Sequence, residues 1–234
     1  MSTPASGRSR TSLLTGRRVL AASLAGVLVL AVLGVFVAFF SSRHPAPMSE
    51  PTPGAPVVAF YGDSYTAGTG ASDVSKRWST VLSRDRGWNE FNPSIDGLGF
   101  INNRRAFGSG DLPDLVIRQN PRIVFVTMGL NDNFSYESDA QKIKAQITDD
   151  LRRLRDDLPN ARLIVVEPFW YSDARPRSVE VIISWVEAAA ESVGADYIAG
   201  ASHWLDGHPE WIAADGFHPN DDGYAAIAAR MAQP

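Results

Sequence analysis

The sequence predicts an α/β domain built on a largely parallel sheet, and three observations carry that prediction. Residues 56–61, 122–128 and 162–167 are continuously apolar rather than alternating, as expected for strands covered on both faces. Between them lie amphipathic helical patterns, and strand and helix alternate along one stretch of about 180 residues, enough for a single core. Polar, glycine-containing clusters begin where the apolar runs end, the position at which open α/β sheets bind ligands.

The elements follow in order. Weaker strand candidates at residues 90–95 and 196–199 complete the sheet. Ala140, Ile143, Ile147, Leu151 and Leu154 recur at three- and four-residue spacings and predict a long helix. Ser138 and Gln141 have the spacing of a capping box at its start, and Pro159 stops it. A second helix is predicted over 178–192, with Val179, Ile182, Val186, Ala189 and Ala190 facing inward, and a last one over 220–232. Doubly wound connections with a flavodoxin-like strand order fit this alternation best.

Upstream, residues 19–40 carry no charge. As a helix they would span about 33 Å, the thickness of a bilayer core. The run ends Phe39-Phe40-Ser41-Ser42-Arg43, a poor cleavage site, so a transmembrane anchor is favoured over a cleaved signal peptide. Arg8, Arg10, Arg17 and Arg18 precede the run and only Arg43 closely follows it, which leaves residues 1–18 in the cytoplasm. Residues 41–56, with five prolines, read as an extended linker to a domain at 57–234. The expected location is thus a single-pass membrane protein with its domain outside the cell membrane, or a secreted one if the segment is cleaved.

All 26 acidic residues lie beyond residue 45, together with 17 of the 22 basic ones, giving the outer part an excess of nine negative charges. That balance argues against nucleic-acid binding. With no cysteine, thiolate nucleophiles and disulfides are excluded.

Four polar clusters are expected to open onto one rim. Ser64 follows the first strand in Gly62-Asp63-Ser64; the others are Asp96-Gly97-Leu98-Gly99, Gly129-Leu130-Asn131-Asp132, and Asp215-Gly216-Phe217-His218-Pro219-Asn220 before the last helix. A hydroxyl nucleophile needs a base and a group to orient that base. Ser64, His218 and Asp215 supply these, the three-residue spacing letting the carboxylate hold one imidazole nitrogen. Backbone N–H groups of Ser64 and Gly97 and the side-chain amide of Asn131 are candidates for stabilising an oxyanion. Asp206-Gly207-His208-Pro209 imitates the last cluster, but it lacks one residue between acid and base and has no amphipathic helix directly behind it. His218 is therefore preferred over His208, and His203 ranks lower still.

With these blocks assembled, residues 55–234 closely resemble the SGNH (GDSL-type) hydrolase family, through Gly62-Asp63-Ser64, Asn92-Pro93-Ser94-Ile95-Asp96-Gly97, Gly129-Leu130-Asn131-Asp132 and Asp215-Gly216-Phe217-His218. The resemblance implies a three-layer α/β/α fold, Ser64 as nucleophile, Asp215 and His218 completing a triad, and Gly97 with Asn131 in the oxyanion hole. Gly99 is the alternative to Gly97 in the second block. Asp63 and Asp132 would be structural, and no cofactor or metal is implied. The family includes lipases, deacetylases, thioesterases and acyltransferases, so the blocks do not choose a substrate. The expectation is hydrolysis of a small acyl ester, acetyl among them, on an extracytoplasmic carbohydrate or lipid. O-acyl transfer and a catalytically silent carbohydrate-binding module are the alternatives. Trp78, Trp88, Trp170, Trp204 and Trp211 are either sugar-stacking surfaces or core.

Overall fold

The computed structural model describes residues 51–108 and 110–232. The expected segments 1–18 and 19–40, and most of the linker at 41–56, lie outside the described residues. Among those described, no helix is long and apolar enough to cross a membrane.

Five strands form one sheet: β1 (Val57–Gly62), β2 (Asn89–Phe91), β3 (Ile123–Thr127), β4 (Arg162–Val166) and β5 (Asp196–Ile198). Their order is β2-β1-β3-β4-β5, with every pairing parallel. This is the flavodoxin-like order expected from the sequence. The continuous hydrophobicity has a direct structural reading. Ala59, Tyr61, Val124, Val126, Leu163 and Val165 enter one buried cluster, while Val58, Phe60, Phe125, Ile164 and Val166 enter the other. Alternate residues thus point to opposite faces, and both faces are covered.

Among the described residues six α-helices accompany the sheet: α1 (Ser64–Ala67), α2 (Trp78–Arg86), α3 (Leu112–Arg118), α4 (Tyr136–Asp157), α5 (Arg177–Ser192) and α6 (Asp221–Met231). Buried residues of α3, α4 and most of α5 join the first cluster, and those of α2 and α6 join the second. The three-layer α/β/α arrangement follows. In α5, Val179, Ile182, Val186, Ala189 and Ala190 are all buried, as their spacing predicts. Trp78 and Trp170 are buried too, Trp78 against the edge of Phe60 at 5.2 Å. These two indoles are core; Trp88, Trp204 and Trp211 are partly buried.

Two expectations need correction, and two helices were not expected at all. Strand β2 ends at Phe91 rather than continuing to residue 95. Asn92 turns the chain away: its amide donates to Thr66 O (2.7 Å) and Ser79 Oγ (2.8 Å), and its Oδ1 accepts the Ser94 N–H. The capping box at Ser138 does not form. Ser138 Oγ donates to Ser135 O and Asp139, and the helix begins at Tyr136 with a kink at Asp139, whose φ is −130°. Helices α2 and α3 carry too little apolar periodicity over seven to nine residues to have been predicted. Helix α3 is started by a reciprocal capping box between Asp111 and Asp114.

The segment after β2 is fastened to α4 by an ion pair between the partly buried Arg104 and the buried Asp150. Asp150, 1 % exposed on α4, takes two hydrogen bonds of 2.7 Å from Arg104, one from Gln146 and one from the Tyr61 hydroxyl. Arg104 also donates to Phe100 O (2.9 Å) and pairs with Asp111. Removing Asp150 takes the acceptor from the buried Tyr61 hydroxyl and leaves Arg104 with Asp111 and Phe100 O alone. Asp150→Ala is expected to lower stability by about 3 kcal/mol, read from the urea midpoint; an unchanged midpoint would contradict this account of the loop.

Candidate active site

Ser64 is the first residue of α1, directly after the end of β1. Asp63 is extended and caps α1 by accepting the Tyr65 N–H at 3.0 Å. The sharp strand-to-helix turn depends on Gly62. A Cβ there would lie 2.4 Å from the hydroxyls of Thr66 and Thr127, which bond each other at 2.6 Å beneath the turn. Only glycine allows α1 to settle against the end of β3.

His218 arrives from the other end of the chain. Its Nε2 lies 3.0 Å from Ser64 Oγ, and its Nδ1 lies 2.7 Å from Asp215 Oδ2. Asp215 Oδ1 accepts the N–H groups of Phe217 (2.9 Å) and His218 (3.0 Å), so one carboxylate fixes both ring and backbone. Partial burial pulls the Asp215 carboxyl upward, but the bonds from His218 and Phe217 outweigh it and hold it below the usual carboxylate range. Around this loop, Tyr65 donates its hydroxyl to Phe217 O (2.5 Å), His218 O accepts the Ala213 N–H, and the Asn220 side chain caps α6. The structure therefore brings Ser64, His218 and Asp215 into one hydrogen-bonded array.

The decoy histidine lies apart from this array. His208 bonds Glu210 at 2.8 Å and stacks on Trp211, while Asp206 pairs with Arg175 and His203.

The two glycines of the second block separate on hydrogen bonding. Gly99 N–H donates to Asn102 O at 2.9 Å, whereas the N–H groups of Gly97 and Ser64 have no acceptor among the described residues. Gly97 has φ +71°, a left-handed conformation that suits glycine. Its loop is set by Asp132, whose buried carboxylate accepts the N–H groups of Phe100 (2.6 Å), Ile101 (3.0 Å) and Asn102 (3.4 Å). A Cβ at Gly99 would sit 2.6 Å from that carboxylate. The amide nitrogen of Asn131, the third candidate donor, is engaged: it donates to Leu98 O (2.9 Å) and, more weakly, to Asp63 Oδ2 (3.3 Å).

Sequence reasoning missed Tyr65, Thr69 and Tyr224. The Tyr224 hydroxyl donates to Thr69 O at 2.7 Å, and the Thr69 hydroxyl donates to Asp96, tying α6 and the second block to the turn after Ser64. These bonds join positions far apart in the chain, and no local pattern announces them.

Residues 60–226 match the GDSL-like lipase/acylhydrolase family over most of the domain. The chain belongs to that family. It is 28 % identical over 190 residues to the GDSL lipase Rv0518 of Mycobacterium tuberculosis, covering 75 % of this chain and 79 % of that protein. TesA superposes with a TM-score of 0.60 at 21 % identity, over 75 % of this chain and 95 % of its own. Axe2, an acetylxylan esterase from Geobacillus stearothermophilus whose structure is that of a catalytic mutant, gives 0.58 at 17 %, over 77 % and 94 %. These two structural likenesses speak to the fold. The chain is thus an esterase-type hydrolase of the GDSL family.

In this GDSL hydrolase Asp63 is fully buried. Desolvation pushes its carboxyl up to about 7 against the pull of the Tyr65 N–H, and the charges of Asp96 and Asp132 add to the rise. Unfolded, Asp63 ionises near its usual value; folded, it holds its proton to about pH 7, so its contribution is full at low pH and fades as pH rises between those values. Asparagine has no proton to lose. The stability of Asp63→Asn relative to wild type should therefore grow by on the order of 4 kcal/mol from pH 4 to pH 8, measured by urea unfolding at each pH. A difference that stays flat with pH would contradict it.

Proposed function

We propose that the chain hydrolyses a small acyl ester, acetyl among the candidates, on an extracytoplasmic carbohydrate or lipid, with Ser64 as nucleophile. The observation that carries this is the unbroken path from Ser64 Oγ through His218 (3.0 Å) to Asp215 (2.7 Å). His218 Nε2 takes the serine proton as Oγ attacks the ester carbonyl, while Asp215 holds Nδ1–H and stabilises the imidazolium that forms. The carbonyl oxygen becomes an oxyanion facing the unclaimed N–H groups of Ser64 and Gly97. Asn131 joins them by giving up its long bond to Asp63. The same imidazole then protonates the departing alcohol, and water resolves the acyl-enzyme by the reverse sequence.

The outer location is supported by the uncharged run at 19–40 and the four arginines before it. A lipid or carbohydrate target is consistent with two relatives, a GDSL lipase and an acetylxylan esterase.

Turnover of p-nitrophenyl acetate, butyrate and octanoate tests the reading and sizes the acyl site together. Wild-type protein is expected to release p-nitrophenol, and Ser64→Ala to lose at least about 10³-fold in kcat. Retention of wild-type turnover by Ser64→Ala would place the nucleophile elsewhere.

A further inference from the structure

Among the described residues the exposed large hydrophobic side chains are Val74, Phe134 and Phe217. Phe217 is the informative one, because it directly precedes His218 and is half-exposed (50 %) while its backbone is held at both ends. Its carbonyl accepts the Tyr65 hydroxyl at 2.5 Å, and its N–H donates to Asp215 at 2.9 Å. Its ring meets Tyr171 in an edge contact at 5.0 Å, and Tyr171 rests on Trp170 at 4.6 Å. Trp170 is in turn fixed by its indole N–H, which donates to Ala174 O at 3.0 Å. Three aromatic rings therefore run in contact from the residue that precedes the histidine back to the buried Trp170, and the outermost of them is half-exposed.

Stereochemistry decides which part of an ester meets these rings. In the tetrahedral adduct on Ser64 the oxyanion points to the N–H groups of Ser64 and Gly97. The alcohol oxygen must lie within reach of His218 Nε2, which protonates it as the carbon–oxygen bond breaks and the electron pair leaves with the alcohol. The acyl chain takes the remaining direction. The alcohol moiety is thus on the side of His218, whose preceding residue, Phe217, is bound to the same Asp215 carboxylate.

We propose that Phe217 and Tyr171 form a subsite for an apolar alcohol moiety, aryl or long alkyl, and so set specificity on the leaving-group side of the scissile bond. This rests on Ser64 and His218 acting as described above. A half-exposed phenyl ring with a held backbone and one aromatic neighbour gains contact with an apolar alcohol while fixing only two side-chain torsions.

The test compares wild type, Phe217→Ala and Tyr171→Ala on three sets of esters: 1-naphthyl acetate against methyl acetate, the p-nitrophenyl series from acetate to octanoate, and acetylated xylose. Thermal melting of each variant reports its fold. The ratio of kcat/KM for naphthyl over methyl acetate should fall about tenfold in both variants, mostly through KM. Across the p-nitrophenyl series the loss should be the same at every acyl length, since the alcohol is constant. A loss that grows with acyl length would put Phe217 on the acyl side and overturn the proposal. So would equal losses on methyl and naphthyl acetate, or a loss confined to acetylated xylose, which would make the rings a sugar platform. Wild-type protein inert to every ester and to a fluorophosphonate would remove the esterase reading itself; an active wild type with an unchanged ratio in the variants would remove only the subsite.

Discussion

Three loops of the site meet at the carboxylate of Asp63, which is sealed from solvent. It accepts the Tyr65 N–H and so starts the helix that presents Ser64, and it holds the amide of Asn131 just beyond the end of β3. Asn131 reaches on to Leu98 O in the loop that carries Gly97. In a low-dielectric setting the bonds from Tyr65 N–H to Asp63 and from Asn131 to Leu98 O are the strong ones, and the longer Asn131–Asp63 bond is the one that can be released. The arrangement is held at the expense of a carboxyl driven up to about 7 by burial. Asp132, equally buried, repeats the device one step away by gathering three consecutive backbone N–H groups of the same loop. Ser64 and the donors proposed for the oxyanion are therefore placed by buried acids that do not themselves face the substrate.

Much of this was legible in the sequence because it is local. Residues 122–128 read as a two-sided strand because Val124 and Val126 fill one core and Phe125 the other. Asp215 and His218 read as a pair because three residues of spacing close a single turn. The preference for Gly97 over Gly99 came from the resemblance alone; its physical reason was not legible, since it depends on which N–H finds an acceptor, and Asn102 O, the acceptor for Gly99, is fixed only by the folded loop. The engagement of Asn131 with Asp63 and Leu98 was likewise hidden, as was the hydroxyl of Tyr65 reaching across 152 positions to Phe217 O. Short helices α2 and α3 escaped because one or two turns carry little periodic signal, and tertiary packing of Trp78 and Val116 supplies what propensity does not.

Exposure rises along the array. Ser64 is 4 % exposed, while the side chains of His218 and Asp215 are 24 % and 43 % exposed. Ser64 sits at the end of a buried strand, and His218 and Asp215 come from a surface loop stabilised by Tyr65 and by the cap of α6. An open rim of this kind meets its substrate with few enclosing walls, so individual exposed side chains beside the base carry much of the selectivity.

Mapping the site of covalent capture by a fluorophosphonate tests the central claim most directly. Peptide mass spectrometry should find the phosphonyl group on Ser64 alone, with capture abolished in His218→Ala and unaffected in His208→Ala. A label on another serine, or capture that survives loss of His218, would contradict the assignment of Ser64 as a nucleophile activated from the far end of the chain.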